Sequence, residues 1–463
     1  MKLVWFRRDL RVSDHPALWH ACQSGEPVCA LFVVSAAQWH EHHMAAIQVD
    51  FMRRTLAVLQ QDLAALNIPL KILHIDRFAD TATPLIQFCQ QHQIDQVFWQ
   101  HEYEWNERQR DQACILALRD AGIDYQLFHD QCLIAPKKIL TGSGEFYKVF
   151  TPFKKNWLKQ LSEQPAVCTP VPAPVASCTL SADPLPAHID GFEPMDETRQ
   201  ALWPAGEHAA QQRLTQFIAR HLAQYATERN RPDLDHTSRL SAYLAVGALS
   251  NRQCYVAAHL ALDGRVEADV WVSELCWRDF YRHVLIGFPR VSRGQAFDVA
   301  TDRHVQWSYD QAAFERWCTG NTGVPIVDAA MRALKAEGWM HNRLRMITAM
   351  FLTKDLLIDW RWGERYFSEQ LIDGDLASNN GGWQWSASTG TDAAPYFRIM
   401  NPFTQGKEHD PSGLYIKRWI PELSRLHGDQ VHDMKLLALC KNYPRPMVDH
   451  KLARERAITA FKR

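Results

Sequence analysis

The sequence predicts two differently built domains: an α/β N-terminal domain with a parallel sheet, then an all-helical C-terminal domain. Three observations carry this. Short apolar runs alternate with helix-length segments through residue 131, prolines and small polar residues crowd residues 132–204, and beyond Glu207 the apolar spacing is helical almost throughout. The expected division is therefore an α/β domain over 1–131, an interdomain linker over 132–204 and a helical domain over 205–463.

Lys2 to Phe6, Val28 to Val34, Leu70 to Ile75 and Gln96 to Trp99 are apolar runs of strand length. Between the second and third, Ile47 to Leu66 repeats its apolar residues with the helical period. Strand, helix, strand in that order needs a crossover connection, so the sheet should be parallel, Rossmann-like and covered by helices. No GxGxxG follows any strand, so the usual dinucleotide fingerprint is missing. Pro165, Pro170, Pro172, Pro174, Pro184 and Pro186 each remove a backbone donor, which predicts a long irregular connection on the surface from Cys132 to Pro204. Past it, Gln211 to Tyr225, Arg252 to Leu262, Glu274 to Ile286, Val324 to Ala336 and Asn342 to Leu357 read as helices.

At 463 residues the chain has ample length for two cores. Its 51 Lys and Arg balance 52 Asp and Glu, so no summed field draws in a polyanion, and any nucleic acid must be met by a local patch. The 11 cysteines are scattered without a CxxC pair, which excludes a disulfide framework and the usual zinc or iron–sulfur spacings; no metal site is expected. No segment approaches the run of about 18 apolar residues that spans a bilayer, and Met1 leads straight into a strand, so a cytoplasmic protein without membrane contact is expected. Seventeen tryptophans are the compositional outlier, and most of them must be structural.

Asp373 to Asn401, DGDLASNNGGWQWSASTGTDAAPYFRIMN, mixes features that a packed core does not need. Gly381 and Gly382 predict a sharp turn or a close approach to a flat group. Trp383 and Trp385 offer aromatic surface, while Asp373, Asp375, Asn379 and Asn380 offer donors and acceptors to a ring with polar edges. Two upstream segments, WVSELCWRDFYRH from Trp271 and WMHNRLRM from Trp339, repeat the pairing of aromatics with Arg, Glu and Asn. Thr237, Ser238, Arg239, Leu240 and Ser241 precede a helical pattern through Leu244 and Leu249, which reads either as an anion site at a helix N-terminus or as an ordinary cap.

With LVWFRRDLRVSDHPAL from Leu3 to Leu18, these segments closely resemble the DNA photolyase and cryptochrome family, and within it the bacterial folate-type photolyases that repair cyclobutane pyrimidine dimers. The resemblance runs from the first residues to about Asn401, through several long motifs in the family's order. It implies that the helical domain binds FAD, active as FADH⁻, with the Thr237 to Ser241 stretch at its phosphates and Tyr225 as a further contact. Asn342, Arg345, Asp373, Asp375 and Asn379 would surround its isoalloxazine, ribose and adenine. Asn379 would face flavin N5, where plant cryptochromes carry aspartate and animal ones cysteine.

By the same resemblance, Glu274, Trp277, Asn379 and Trp385 are the catalytic residues. Trp277 and Trp385 would stack on a flipped-out dimer, Met346 would touch it and Glu274 would hydrogen-bond its polar edge. Arg229, Arg343 and Arg398 would contact DNA phosphates, with Lys154 and Lys155 as further candidates. Trp383, Trp360 and Trp307 match an electron-transfer chain. Asn106, Glu107 and Arg293 would hold an antenna, 5,10-methenyltetrahydrofolate; Arg293 is a departure, since relatives can carry lysine there. The implied partner is DNA containing pyrimidine dimers, acted on by a monomer.

Two other classes stay open. A light sensor usually carries a long extension beyond the core, whereas the residues after Asn401 are core in the resembled proteins. An oxidoreductase should show a nicotinamide fingerprint. Repair of (6-4) photoproducts needs a histidine pair, and Met340-His341-Asn342-Arg343 has asparagine at the second position. Dimer repair leads.

Overall fold

The computed structural model describes residues 1–265 and 269–462, and the chain divides into two compact units. The first comprises Met1–Ala223, Ser238–Pro289 and Ile372–Ala377; the second comprises Gln224–Thr237, Arg290–Leu371 and Ser378–Arg463. Compactness thus does not break at residues 131 and 204.

The first unit holds a five-stranded parallel sheet, β1 (Lys2–Phe6), β2 (Val28–Val34), β3 (Leu70–His74), β4 (Gln96–Gln100) and β5 (Asp124–Phe128), in the order β3-β2-β1-β4-β5. Central β1 pairs on both sides, Leu3 with Cys29 and with Val97, and is buried beyond its first residue. That is why it reads as an unbroken apolar run. β5 was not foreseen: as an edge strand it exposes Asp124 and Gln126, so its sequence lacks that run. The strand order reverses between β1 and β4, which places the functional end of such a sheet at their carboxyl ends.

The expected irregular linker is only partly irregular. Phe150–Glu163 is a helix that buries Phe153, Trp157 and Leu161 at four-residue spacing, because the prolines begin only at Pro165. Glu197–Leu202 is a second, short helix. Between them, residues 165–186 form no helix or strand but run along the sheet edge. The Ile72 amide donates to Asp183 at 2.9 Å and Asn67 Nδ2 to the Val175 carbonyl at 3.0 Å. The segment thereby covers an edge strand that would otherwise leave open hydrogen-bonding groups.

Three further expectations change. Gln211 to Tyr225 is not one helix, since Glu207–Arg220 ends before a separate turn at Leu222–Gln224. The helix after Thr237-Ser238-Arg239-Leu240 is only Ser241–Val246; Gly247 at φ 75° ends it, and a Cβ there would collide with the Arg8 carbonyl. The Asn342 helix stops at Met350 and passes into a π-helical turn, Phe351–Asp355.

The second unit is built from helices around a core that includes Trp317, Leu334, Leu344, Phe367, Trp360 and Trp383. Gly381 and Gly382 lie inside its Leu376–Ser386 helix and make no turn.

Candidate active site

In the first unit, the Asp269 carboxylate caps the Val270–Gly287 helix by accepting from the Val272 amide at 2.8 Å. Helical spacing then sets Glu274, Trp277, Arg278 and Arg282 along neighbouring turns. Trp277 stacks flat on Phe150, centroids 3.6 Å apart and planes 6° apart, so one ring face is covered while the residue stays half-buried. Half-buried Glu274 lies one turn before it.

Buried Asp375 is held by two guanidiniums: Arg278 Nη1 donates at 2.9 Å and Arg282 Nη2 donates to the same oxygen. Burial, then the Arg282 charge, lowers the Arg278 pKa. These two arginines were missed by sequence reading, although their four-residue spacing within WRDFYRH was a usable signal. Asp373 is also buried. In the preceding loop, Arg239 adopts φ 47° and Arg213 Nε donates to the Ser238 carbonyl at 2.8 Å, while Ser241 opens its short helix after Leu240. Lys154 is engaged by Ser273, and Lys155 is exposed.

Asn106 and Glu107 begin the Trp105–Asp120 helix after β4. Asn106 is exposed, with Nδ2 2.8 Å from His42 Nε2. Glu107 is buried among Glu102, Glu104, Arg8 and Arg110 beside a cleft that Trp5, Phe32 and Trp39 also line. Burial first, then Glu104, pushes Glu107 up to about 8. Glu102 goes the other way: burial opposes ionisation, but Arg110, Arg7 and Arg8 hold it down at about 2. Arg293 is exposed on a turn of the second unit, Val291–Arg293.

In the second unit, Asn379 Nδ2 donates to the Glu364 carbonyl at 2.9 Å and to Ser368 Oγ at 3.0 Å. Both amide hydrogens are thereby used, and Oδ1 remains as an acceptor. Asn380 Nδ2 donates to Glu364 Oε1 at 2.9 Å, and its Oδ1 accepts from Gln384 Nε2 at 2.8 Å. Burial pushes Glu364 up to about 7, against the Asn380 hydrogen bond. Glu364 was not singled out from sequence, because nothing in WGERYF marks which acid turns toward Asn379 and Asn380. A Cβ on Gly382 would meet open space, so this helix face can admit a flat group.

Thr237 lies in a loop, and Tyr225 carries the Arg229 guanidinium 5.6 Å from its ring centroid. Arg343 donates twice to Asn230 Oδ1, at 3.1 and 3.0 Å, and Arg345 Nε donates to the Met340 carbonyl at 2.8 Å. Asn342 is exposed at its helix start, Met346 and Trp385 are half-buried, and Arg398 is exposed beside Phe397.

The three tryptophans expected to form a relay all belong to this unit. Trp383 is buried edge-on against Phe367 at 5.0 Å and lies over Gly363, where any Cβ would collide with its ring. Gly363 is three residues after fully buried Trp360, whose Nε1 donates to Asp302 Oδ1 at 3.1 Å. Half-buried Trp307 donates to the same oxygen at 3.3 Å.

These groups suit a flavin. A free amide oxygen, a carboxyl that keeps its proton near neutrality and an open helix face match a flat ring with polar edges. Comparison with known proteins agrees. The family described as "DNA photolyase" matches residues 2–175, and "FAD binding domain of DNA photolyase" matches residues 271–463. A deoxyribodipyrimidine photo-lyase of Salmonella typhimurium is 46% identical, over 99% of this chain and 98% of its own. One from Escherichia coli is 45% identical, over 99% and 98%. Among solved structures, a class III photolyase from Agrobacterium tumefaciens has a TM-score of 0.89 at 34% identity, covering 99% of this chain and 96% of that one. A Synechocystis cryptochrome has 0.85 at 28%, covering 99% of each. Agreement along the whole length, through the FAD-binding domain as well as the parallel sheet, establishes that this chain belongs to the DNA photolyase family.

Proposed function

We propose that the chain repairs cyclobutane pyrimidine dimers in DNA by light-driven electron transfer, the reaction of a deoxyribodipyrimidine photo-lyase. When bound as FADH⁻, FAD supplies the excited-state electron that splits the dimer and recovers it afterwards. The protein supplies position and electrostatics. The observation that carries this reading is the Val270–Gly287 helix: Trp277, backed on one face by Phe150, is a braced platform for a base swung out of the stack, and Glu274 lies one turn away to meet its polar edge.

Trp385 and Met346 complete the lesion contacts, and Arg229, Arg343 and Arg398 take the phosphates, which position the DNA without reading its sequence. Tyr225, Thr237, Ser238, Arg239, Leu240, Ser241, Asn342, Arg345, Asp373, Asp375 and Asn379 hold FAD. Asn379 directs its unused Oδ1 to the flavin, a role supported by the loss of both its hydrogens to Glu364 and Ser368. Trp383, Trp360 and Trp307 relay electrons that keep the flavin reduced.

Asn106, Glu107 and Arg293 hold a 5,10-methenyltetrahydrofolate antenna. A Glu107 carboxyl that keeps its proton to about 8 is a hydrogen-bond donor that can meet an acceptor on the edge of the pterin ring. By function the chain divides at 131 and 204, and it works as a monomer in the cytoplasm; no described helix is long and apolar enough to cross a membrane. The test is illumination of the reduced protein with dimer-containing oligothymidylate. Absorbance of the thymine band should return in light and not in darkness, and equal recovery in both would refute the proposal. The absorbance spectrum of the purified protein checks both chromophores through its flavin and near-ultraviolet folate bands.

A further inference from the structure

We propose that Asp302 draws the positive hole outward along Trp383, Trp360 and Trp307, so that charge separation outlives recombination. The inference rests on reading these residues as the relay. Asp302 lies on the Val299–His304 helix, which Asp298 caps by accepting from the Ala300 and Thr301 amides at 3.1 and 3.0 Å. One oxygen of its carboxylate serves two indoles, Trp360 Nε1 at 3.1 Å and Trp307 Nε1 at 3.3 Å. The other receives Arg361 Nη2 at 2.6 Å, while Arg361 Nη1 also reaches the first oxygen at 3.3 Å and Asp359 at 3.1 Å, and that guanidinium stands 4.5 Å from the Trp360 ring centroid. Buried Trp383 Nε1 has no acceptor among the described residues.

Removing an electron from an indole leaves positive charge on the ring and polarises its N–H bond. A carboxylate on that N–H stabilises the oxidised ring, whereas a cation over the ring face destabilises it. Trp383 has neither. Trp360 has both, so the two largely cancel. Half-buried Trp307 has the carboxylate and, among the described residues, no arginine or lysine over its ring; water at its exposed edge adds to the effect. Ease of oxidation therefore increases outward, and the hole settles on Trp307.

Electrons balance along this path. Trp383 loses one electron to the photoexcited flavin, Trp360 refills Trp383 and Trp307 refills Trp360. A thiol reductant from solution returns one electron to Trp307.

Asp302→Asn removes the charge while its amide oxygen can still accept from both indoles; its Nδ2 would then face Arg361 Nη2 donor to donor, so the Asp302→Asn/Arg361→Gln double variant is measured beside it. In flavin-loaded protein without thiol, pulsed excitation followed by transient absorption should show undiminished first oxidation of Trp383. The fraction of indole radical that survives recombination should fall about tenfold or more. Arg361→Gln removes the cation that sets Trp360 apart from Trp307, levels the last step of the gradient and should lower the surviving fraction. Survival unchanged in Asp302→Asn at normal flavin content leaves Asp302 a structural cap and overturns the proposal. Should Asp302→Asn fail to load flavin, unchanged or higher survival in Arg361→Gln overturns it instead. Failure of the relay itself is distinguishable, since only then would Trp307→Phe retain the wild-type long-lived radical.

Discussion

In the proposed function, Trp277 and Trp307 put one indole type to two tasks according to what it touches. Trp277 is braced by Phe150 and half-buried, so its worth lies in stacking. Trp277→Ala should weaken binding of dimer-containing DNA by about 1–3 kcal/mol, as for one base–aromatic stack, and leave undamaged duplex nearly unchanged. Titration of both DNAs checks this, and equal losses would make Trp277 a fold residue. Trp307 has its N–H on a carboxylate and its edge near solvent. Repair cycles an electron between flavin and dimer without the relay. Trp307→Phe should therefore lose photoreduction by external donors, because phenylalanine resists oxidation, yet repair dimers normally once its flavin is reduced chemically. Impaired repair by the prereduced variant would mean the residue is misassigned.

The Trp360–Gln370 helix would join the proposed relay to the flavin site through its own periodicity. Trp360, Gly363 and Glu364 fall on successive positions of one face, the first in the relay, the second beneath Trp383 and the third bonded to Asn380. Gly363→Ala would normally favour a helix by about 1 kcal/mol. Here its Cβ would collide with the Trp383 ring, and overpacking costs about 1–3 kcal/mol, so the clash decides the sign. The variant should melt lower and photoreduce more slowly, as measured by thermal unfolding and by flavin bleaching under light. A glycine pair inside the Leu376–Ser386 helix follows similar logic: Gly382 leaves open space where a side chain would stand.

Across the second unit, half-buried Glu364 and buried Lys354 pull stability in opposite directions with pH. Glu364 has its folded pKa raised to about 7, mainly by burial. The folded state keeps a proton that the unfolded chain loses, so stability falls as pH rises from about 4.5 to 7 and is level above. Lys354 is wholly buried, donates to Ser388 at 2.8 Å and stands 3.3 Å from the Phe461 ring centroid. The ring favours the ammonium form, but burial outweighs it and pushes Lys354 down to about 7. The unfolded chain then binds the extra proton, so stability rises as pH goes from about 7 to 10.5. Together they put a minimum near neutrality into the apoprotein's stability curve. Glu364→Gln should raise stability at pH 8 by about 1–3 kcal/mol, the lower end reflecting partial contact with water, and Lys354→Met should raise it at pH 6 by a similar amount. Denaturant titrations at both pH values check the signs; a Lys354→Met variant that is less stable at pH 6 would show that the ammonium is well paired.

Local patterns were enough to recover four of the five strands and the helical second half, because apolar period is written along the chain itself. Edge strand β5 escaped because partial exposure removes the apolar run, and the Phe150–Glu163 helix was hidden by the prolines that follow it. Glu364, Arg282 and Asp302 acquire their meaning only from partners distant in sequence: Arg282 and Asp375 are 93 residues apart, and Asp302 and Trp360 are 58 apart. Periodicity says which face of an element is buried; which carboxylate meets which indole or guanidinium depends on how the chain returns to itself, and that is decided by tertiary packing.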